Sequence, residues 1–366
     1  MRIVSCVILV IGCGVLAQSH AQERSHAQER SHAQQRSHAQ QRSHAQQRSK
    51  DQERSLVRGG GQTRGGLQAV AGKLTGTTPQ KPGSKAGKAK KVPSAFKWVN
   101  PLPGTSVPGL KQGTFSSPSL GVEVGYLILL PEGYQASRKR YPVVYYLHGG
   151  RPGNECKSHR LAGPIRRLMK SSGLKPSIYV FVNGGPVSHY NMPDDDGAQG
   201  ASVFIDELIP HVDRKYRTIA DRSGRALEGF SQGGRGTMRL ALRHPDVFCS
   251  AAAGGGGYAT EKRISESGGV ESPNLRFAEG DNTWDLARRY AGRSGGPDVR
   301  WMIYVGTKGF NYENNLEYMD FLSSLEIEFE RLVVPGVPHS ATGIYAKAAE
   351  RIMRFHVRNF EVAPSK

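Results

Sequence analysis

Ser231 lies in the run Leu227-Glu228-Gly229-Phe230-Ser231-Gln232-Gly233-Gly234, a Gly-x-Ser-x-Gly spacing. A serine hydroxyl becomes a candidate nucleophile when a sharp strand-to-helix turn lifts it above a sheet. Glycine two positions to either side lets the neighbouring backbone come close. With 45 glycines in 366 residues the pentapeptide alone is weak evidence, so its flanks decide. Residues 225–230 read as a short buried strand. Residues 232–244 carry Leu240 and Leu242 and stop at His244-Pro245, which predicts strand, turn and helix in the order the motif needs.

A hydroxyl is a poor nucleophile at neutral pH and needs a base from a loop at the same sheet edge. His339 fits: it follows an expected strand over 328–334 in Val334-Pro335-Gly336-Val337-Pro338-His339-Ser340, just before the last helix. The developing oxyanion needs two converging backbone N–H groups. Gln232, the residue after the nucleophile, supplies one. The other is expected at Gly150, where the apolar run Tyr141-Pro142-Val143-Val144-Tyr145-Tyr146-Leu147 ends in His148-Gly149-Gly150.

These three segments together resemble the Putative esterase family of α/β-hydrolases, which includes esterase D-like, feruloyl and acetyl-xylan esterases, enterochelin esterases and mycolyltransferases. The resemblance covers about residues 110–360 and implies an α/β-hydrolase fold and ester chemistry. It also implies an Asp in a Gly-Thr-Lys-Asp-like turn after the penultimate strand, but here that turn reads Gly306-Thr307-Lys308-Gly309. Glu313, four residues on, is the candidate acid; a glutamate favoured at a helix N-terminus by the macrodipole is the competing reading. Failing Glu313, a Ser-His dyad, a water or Asn311 orients His339.

The elements expected to position these groups alternate. Strands are read at 122–130, 141–147, 177–182, 225–230, 247–253, 300–305 and 328–334. Helices are read at 160–170, 202–216, 232–244, 283–290, 313–325 and 341–360. Such alternation argues for an α/β fold, a mainly parallel sheet covered by helices on both faces. Tyr190 and Trp284 are read either as pocket lining or as core. Asp194-Asp195-Asp196 reads as a solvated loop rather than a metal site, because adjacent carboxylates point different ways.

The formal charge of +19 is mostly an arm: residues 1–97 hold 17 basic and 4 acidic side chains, and the rest 33 and 27. The globular part therefore carries no nucleic-acid signature. Residues 1–21 combine Arg2, an apolar run too short for a confident membrane span, and cleavage points after Ala17 or Ala21. They read as an export signal, with lipidation of Cys13 as an alternative. From Ser19 a hexapeptide Ser-His-Ala-Gln-Glu/Gln-Arg recurs with histidines at 20, 26, 32, 38 and 44. Six residues do not return to one helix face, so 22–95 is expected to be a disordered arm and linker and 96–362 the single folded domain. Outside the signal only Cys156 and Cys249 remain, and they are expected as two unpaired thiols, Cys156 in a loop and Cys249 early in a strand.

The expected protein is an exported serine carboxylic-ester hydrolase with catalytic Ser231, His339 and Glu313, an oxyanion hole at Gly150 and Gln232, and no metal or organic cofactor. The resemblance suggests acyl or feruloyl esters of polysaccharides as substrate, with no specific nucleic-acid partner and no transmembrane span in the mature form. Acyl transfer to a sugar hydroxyl, and a non-catalytic carbohydrate-binding relative that has lost the acid, are the alternatives.

Overall fold

The computed structural model of the protein describes residues 96–104 and 107–362. The expected export signal, the hexapeptide arm and Cys13 lie outside the described residues. In chain order, β1 (Leu110–Ser117) and β2 (Val122–Leu129) form a hairpin, and β3 (Val143–Leu147) follows. A 3-10 segment, Glu155–Leu161, runs into α1 (Ala162–Ser171) and is followed by β4 (Ile178–Val182). A small hairpin, β5 (Asn191–Met192) and β6 (Asp195–Gln199), precedes the helical run Gly200–Ser202, Val203–Leu208 and α2 (Ile209–Lys215). Next come β7 (Arg225–Phe230), α3 (Gln232–Arg243), β8 (Ser250–Gly254), α4 (Tyr258–Glu266) and a second small hairpin, β9 (Val270–Ser272) and β10 (Leu275–Arg276). α5 (Thr283–Ala291), β11 (Arg300–Lys308), α6 (Tyr312–Ser324), β12 (Phe329–Pro338) and α7 (Ala341–Val362) complete the order.

Eight strands make one sheet in the order β1-β2-β4-β3-β7-β8-β11-β12. β2 runs antiparallel to both β1 and β4; every other neighbouring pair is parallel. The period-2 pleat sends alternate side chains of each central strand into two separate cores. Val143, Tyr145 and Leu147 of β3 join Ile178, Val180 and Val182 of β4 on one face, packed by α2, α3, α5 and α6. Val144, Tyr146, Tyr179 and Phe181 face the other way, against α1 and α7. Parallel strands buried on both faces read as continuous apolar runs, which is why β3 and β4 are legible as Val-Val-Tyr-Tyr-Leu and Ile-Tyr-Val-Phe-Val.

Several expected boundaries move. β1 has no counterpart among the expected strands, because as an edge strand it buries few of its side chains and shows no apolar run. α4 follows the glycine run 254–257 and was likewise not expected. β8 starts at Ser250, so Cys249 lies just before the strand rather than within it. The 202–216 helix is broken by an i→i+5 stretch, Val203–Leu208, ahead of Pro210, which has no N–H to donate into the preceding turn. β11 and β12 both run further, to Lys308 and Pro338, with an irregular register between Gly306 and Lys308. Cys156 and Cys249 are free and buried; burial pushes both thiols up to about 11, which keeps them protonated and inert.

One carboxylate is buried between the sheet and α7, on the strand that precedes Ser231. Glu228 of β7 is fully buried and accepts from Tyr345 Oη at 2.6 Å and Tyr304 Oη at 3.4 Å. His356 of α7 lies 3.6 Å away through Nε2 and shares a hydrogen bond of 2.8 Å with Ser250 Oγ through Nδ1. The network ties α7 to β7, β8 and β11. Removing one member leaves buried partners unpaired, which costs far more than the net worth of a satisfied hydrogen bond. Glu228→Ala should therefore lose about 3 kcal/mol of unfolding free energy in urea titrations. A loss below about 1 kcal/mol would show that the remaining tyrosines and His356 satisfy one another without the carboxylate.

Candidate active site

β3, β7, β11 and β12 run parallel within the sheet, so the residues that follow their C-terminal ends emerge at one edge. These are Gly149-Gly150, Ser231, Gly309 to Asn311, and His339. Open α/β sheets bind their ligands at this edge.

Ser231 stands between β7 and α3 with φ 63° and ψ −116°, a conformation that costs a non-glycine residue about 1–3 kcal/mol. Its N–H donates to Gly254 O at 2.8 Å and its carbonyl accepts from Arg235 N at 3.1 Å, which holds the strain in place. A Cβ on Gly229 would stand 2.5 Å from Gly233 O and 2.9 Å from Leu147 O, and one on Gly233 would overlap Leu147 O. Both glycines of the motif are thus imposed by backbone contact.

His339 lies in the short loop between β12 and α7, which is only two residues long because β12 runs on to Pro338. Its Nε2 is 2.9 Å from Ser231 Oγ, and its Nδ1 is 3.1 Å from Asn311 Oδ1. The amide of Asn311 has only one orientation that its surroundings accept. Asn311 Nδ2 donates to Gly255 O at 2.6 Å and to Gly256 O at 3.0 Å, so Oδ1 is the atom left to face the imidazole. Nδ1 then carries the proton, and Nε2 presents its lone pair to the serine hydroxyl. Burial lowers the pKa of His339 below that of an ordinary imidazole, which favours this neutral base form.

Glu313 does not take the place expected for it. It is exposed in the first turn of α6, and the nitrogen it was to orient bonds Asn311 instead. The residue two positions closer to β11 reaches the ring because it precedes the helix and is buried.

Gly149 packs against the nucleophile: a Cβ there would lie 3.1 Å from Ser231 Cβ. Gly150 follows with φ 76°, and its carbonyl accepts from Ser188 Oγ at 2.6 Å. Gln232 is the first residue of α3, where backbone N–H groups have no intrahelical acceptor. His148 is no rival base. Burial lowers its pKa to about 4, and its Nε2 already accepts from Gly184 N at 3.1 Å.

A buried charge network underlies α3, and no local pattern in the sequence marks it. Arg235 and Arg239 of α3 are each 1% exposed. Arg235 meets Glu271 at 2.9 Å and Glu261 at 3.3 Å, while Arg239 meets Asp281 at 3.2 Å. Glu271 also holds Arg151 at 2.9 Å, next to the glycine pair. Burial opposes ionisation of Glu271, but Arg235 and Arg151 outweigh it and hold its pKa below the usual carboxylate range. Tyr190 and Trp284 belong to this interior and not to a pocket: Tyr190 bonds Glu261 and stacks on Phe277 at 3.9 Å, and Trp284 donates to Tyr258 O at 3.0 Å.

Asp194, Asp195 and Asp196 are exposed. Among the described residues no cluster of His, Cys, Asp and Glu converges as a metal site, and no helix is long and apolar enough to cross a membrane. A cleft of about 1200 Å³ lined by Arg293, Asp298, Glu330 and Arg331 lies apart from Ser231 and His339, neither of which lines it. Ser250, His356 and Glu228 repeat the residue types of a triad, but all three are fully buried and serve the packing described above.

The model of the Putative esterase family matches residues 117–331, more than half of the chain. The chain belongs to that family, and its sheet and helices are of the α/β-hydrolase type. An esterase of Mycobacterium tuberculosis H37Rv is 34% identical over 145 residues, 39% of this chain and 31% of that protein. An endo-1,4-beta-xylanase/feruloyl esterase of Xylanibacter ruminicola is 33% identical over 152 residues, 38% of this chain and 20% of that one. The chain therefore spans less than a third of the length of these relatives. Two solved structures share the fold. A ferulic acid esterase has a TM-score of 0.57 at 23% identity, covering 69% of this chain and 98% of its own. A Staphylococcus aureus fluorophosphonate-binding serine hydrolase, FphF, has a TM-score of 0.55 at 18% identity, covering 68% and 98%.

The two candidates for orienting His339 separate by mutation. Asn311→Ala should lower kcat for p-nitrophenyl acetate by about ten-fold or more, and Glu313→Gln should stay within about two-fold of the parent. The reverse pattern would return the role to Glu313. In the same assay the parent's kcat/KM should hold as pH falls through about 6.5, the ordinary imidazole value. With the neutral ring as the base and its pKa lowered, the rate is expected to drop only at more acid pH; an acid limb above 6.5 would contradict that role for His339.

Proposed function

We propose that the protein is a serine carboxylic-ester hydrolase that works through an acyl-enzyme. The observation that carries the reading is the 2.9 Å contact between Ser231 Oγ and His339 Nε2, with the other imidazole nitrogen held by Asn311. Ser231 Oγ attacks the ester carbonyl carbon as its proton passes to Nε2. The carbonyl electron pair moves to oxygen, where the N–H groups of Gly150 and Gln232 receive it. Collapse breaks the ester C–O bond, and the protonated imidazole hands its proton to the leaving alcohol. Water then repeats the sequence on the acyl-serine, releasing the acid and restoring Ser231. No step calls for a metal or an organic cofactor.

Gly309 had motivated the non-catalytic alternative. That motive weakens, because the vacancy at 309 does not leave His339 without a partner. The names of similar proteins, an endo-1,4-beta-xylanase/feruloyl esterase and a ferulic acid esterase, support acyl or feruloyl esters of polysaccharides as the substrate class. Acyl transfer to a sugar hydroxyl uses the same residues and differs only in what attacks the acyl-enzyme.

Two measurements test this reading. A fluorophosphonate should label the parent protein and not Ser231→Ala, and that variant should lose hydrolysis of short p-nitrophenyl esters while keeping its circular dichroism; undiminished turnover by Ser231→Ala would rule out the nucleophile. The charged start and apolar run of residues 1–21 support export. N-terminal sequencing of the mature protein should begin after Ala17 or Ala21, or at Cys13 if it is lipidated, and an intact Met1 on the mature protein would argue against export.

A further inference from the structure

Phe310 is 84% exposed, the most exposed of the large hydrophobic residues among the described ones; Val99 and Val122 reach 37% and 44%. Single exposed apolar side chains are ordinary, and Phe310 is set apart by its place. Its ring centroid lies 4.5 Å from that of His339. Phe230 covers the same imidazole at 4.8 Å and is itself buried. With Phe230, Ser231 and Asn311 already holding the imidazole, the outer face of Phe310 is uncommitted. Its backbone is anchored on both sides: Gly309 N donates to Gly306 O at 3.0 Å, Tyr312 N donates to Gly309 O at 3.0 Å, and Asn311 is pinned by Gly255 and Gly256.

We propose that Phe310 is the specificity residue for the leaving alcohol, taking an alcohol that carries a ring with a flat apolar face. The inference rests on the serine-hydrolase reading above. In acylation the proton on His339 Nε2 must reach the departing oxygen, which therefore comes within hydrogen-bonding distance of that nitrogen. The substituent on that oxygen lies beside the imidazole, where Phe310 stands. The carbonyl oxygen points instead to the amides of Gly150 and Gln232, which directs the acyl group away from Phe310. An aromatic platform rewards a ring with an apolar face through contact area and ring-edge geometry.

The test uses the full-length protein and two ester series read as kcat/KM. In the alcohol series the acyl group is fixed as acetyl and benzyl acetate is compared with ethyl acetate. In the acyl series the alcohol is fixed as ethyl and ethyl 3-phenylpropanoate is compared with ethyl acetate. Phe310→Ala should lower the benzyl-to-ethyl ratio by about five-fold or more and move the acyl-series ratio by less than about two-fold, while Phe310→Trp keeps both ratios near the parent's. An exposed side chain gives no reason for misfolding, and fluorophosphonate labelling of each variant confirms a competent Ser231. An equal loss on benzyl and ethyl acetate, or a shift confined to the acyl series, would overturn the inference and leave the esterase reading standing. A parent protein that neither takes the label nor turns over any ester would overturn both.

Discussion

Asn311 can act on His339 only because its amide nitrogen is already spent. Two carbonyls, Gly255 O and Gly256 O, take the N–H groups, and reversing the amide would set oxygen against both. That constraint decides which imidazole nitrogen bears the proton, and so whether Ser231 meets a lone pair or an N–H. A triad in which an amide presents its nitrogen to the imidazole holds the wrong tautomer and loses about 10⁴ in kcat. Here the glycine carbonyls after β8 prevent that outcome. Asn315 reinforces them, donating to Gly256 O at 3.0 Å and to Asn311 O at 2.8 Å.

The same glycine segment holds Ser231. Gly254 O receives the Ser231 N–H, and a Cβ on Gly234 would press on the Gly254 backbone. One stretch of chain, from the last residue of β8 through Gly256, therefore holds Ser231 on one side and Asn311 on the other. The strained φ of Ser231 persists because backbone contacts with β3 and β8 surround it, and because α3 is anchored below by Arg235 and Arg239. Buried charges of this kind are weak evidence for stability, since their desolvation offsets much of the attraction. Their position indicates instead that they set the direction of α3 against the β9–β10 hairpin, through Glu271, and against the start of α5, through Asp281.

The chemistry-bearing residues differed in how visible they were, for physical reasons. Ser231 and the strand before it show in the sequence because steric demands act on near neighbours: glycines at 229 and 233, an apolar run ahead, and a proline after the helix. His339 shows because it follows the last expected strand, at the sheet edge where Ser231 also emerges. Asn311 stood only as one possibility among several, because its role depends on carbonyls more than fifty residues away and not on any local pattern. Glu313 drew attention as an acid near the expected position, but a carboxylate in the first helical turn is equally served by the helix dipole and solvent. The sheet was legible where strands are buried on both faces, as in β3 and β4, and illegible at β1, whose edge position leaves no apolar signature. The buried arginines looked like ordinary polar positions of a helix, since their acidic partners come from other elements.

A neutral orienter changes what the imidazole experiences. An aspartate beside Nδ1 would raise the histidine pKa and stabilise the imidazolium formed during attack. Asn311 supplies a hydrogen bond without a charge, and with Phe230 packed on the ring, burial is left to lower the pKa. On the serine-hydrolase reading, such a base remains unprotonated in more acid surroundings than an ordinary imidazole would. Position 309 lies beside this contact: a Cβ there would stand 3.2 Å from Asn311 Oδ1, 3.2 Å from Gly306 O and 3.7 Å from the backbone nitrogen of His339. Any side chain at 309 would therefore press on the amide oxygen that faces His339. Glycine at 309 thus leaves Asn311 Oδ1 free to meet Nδ1 of His339.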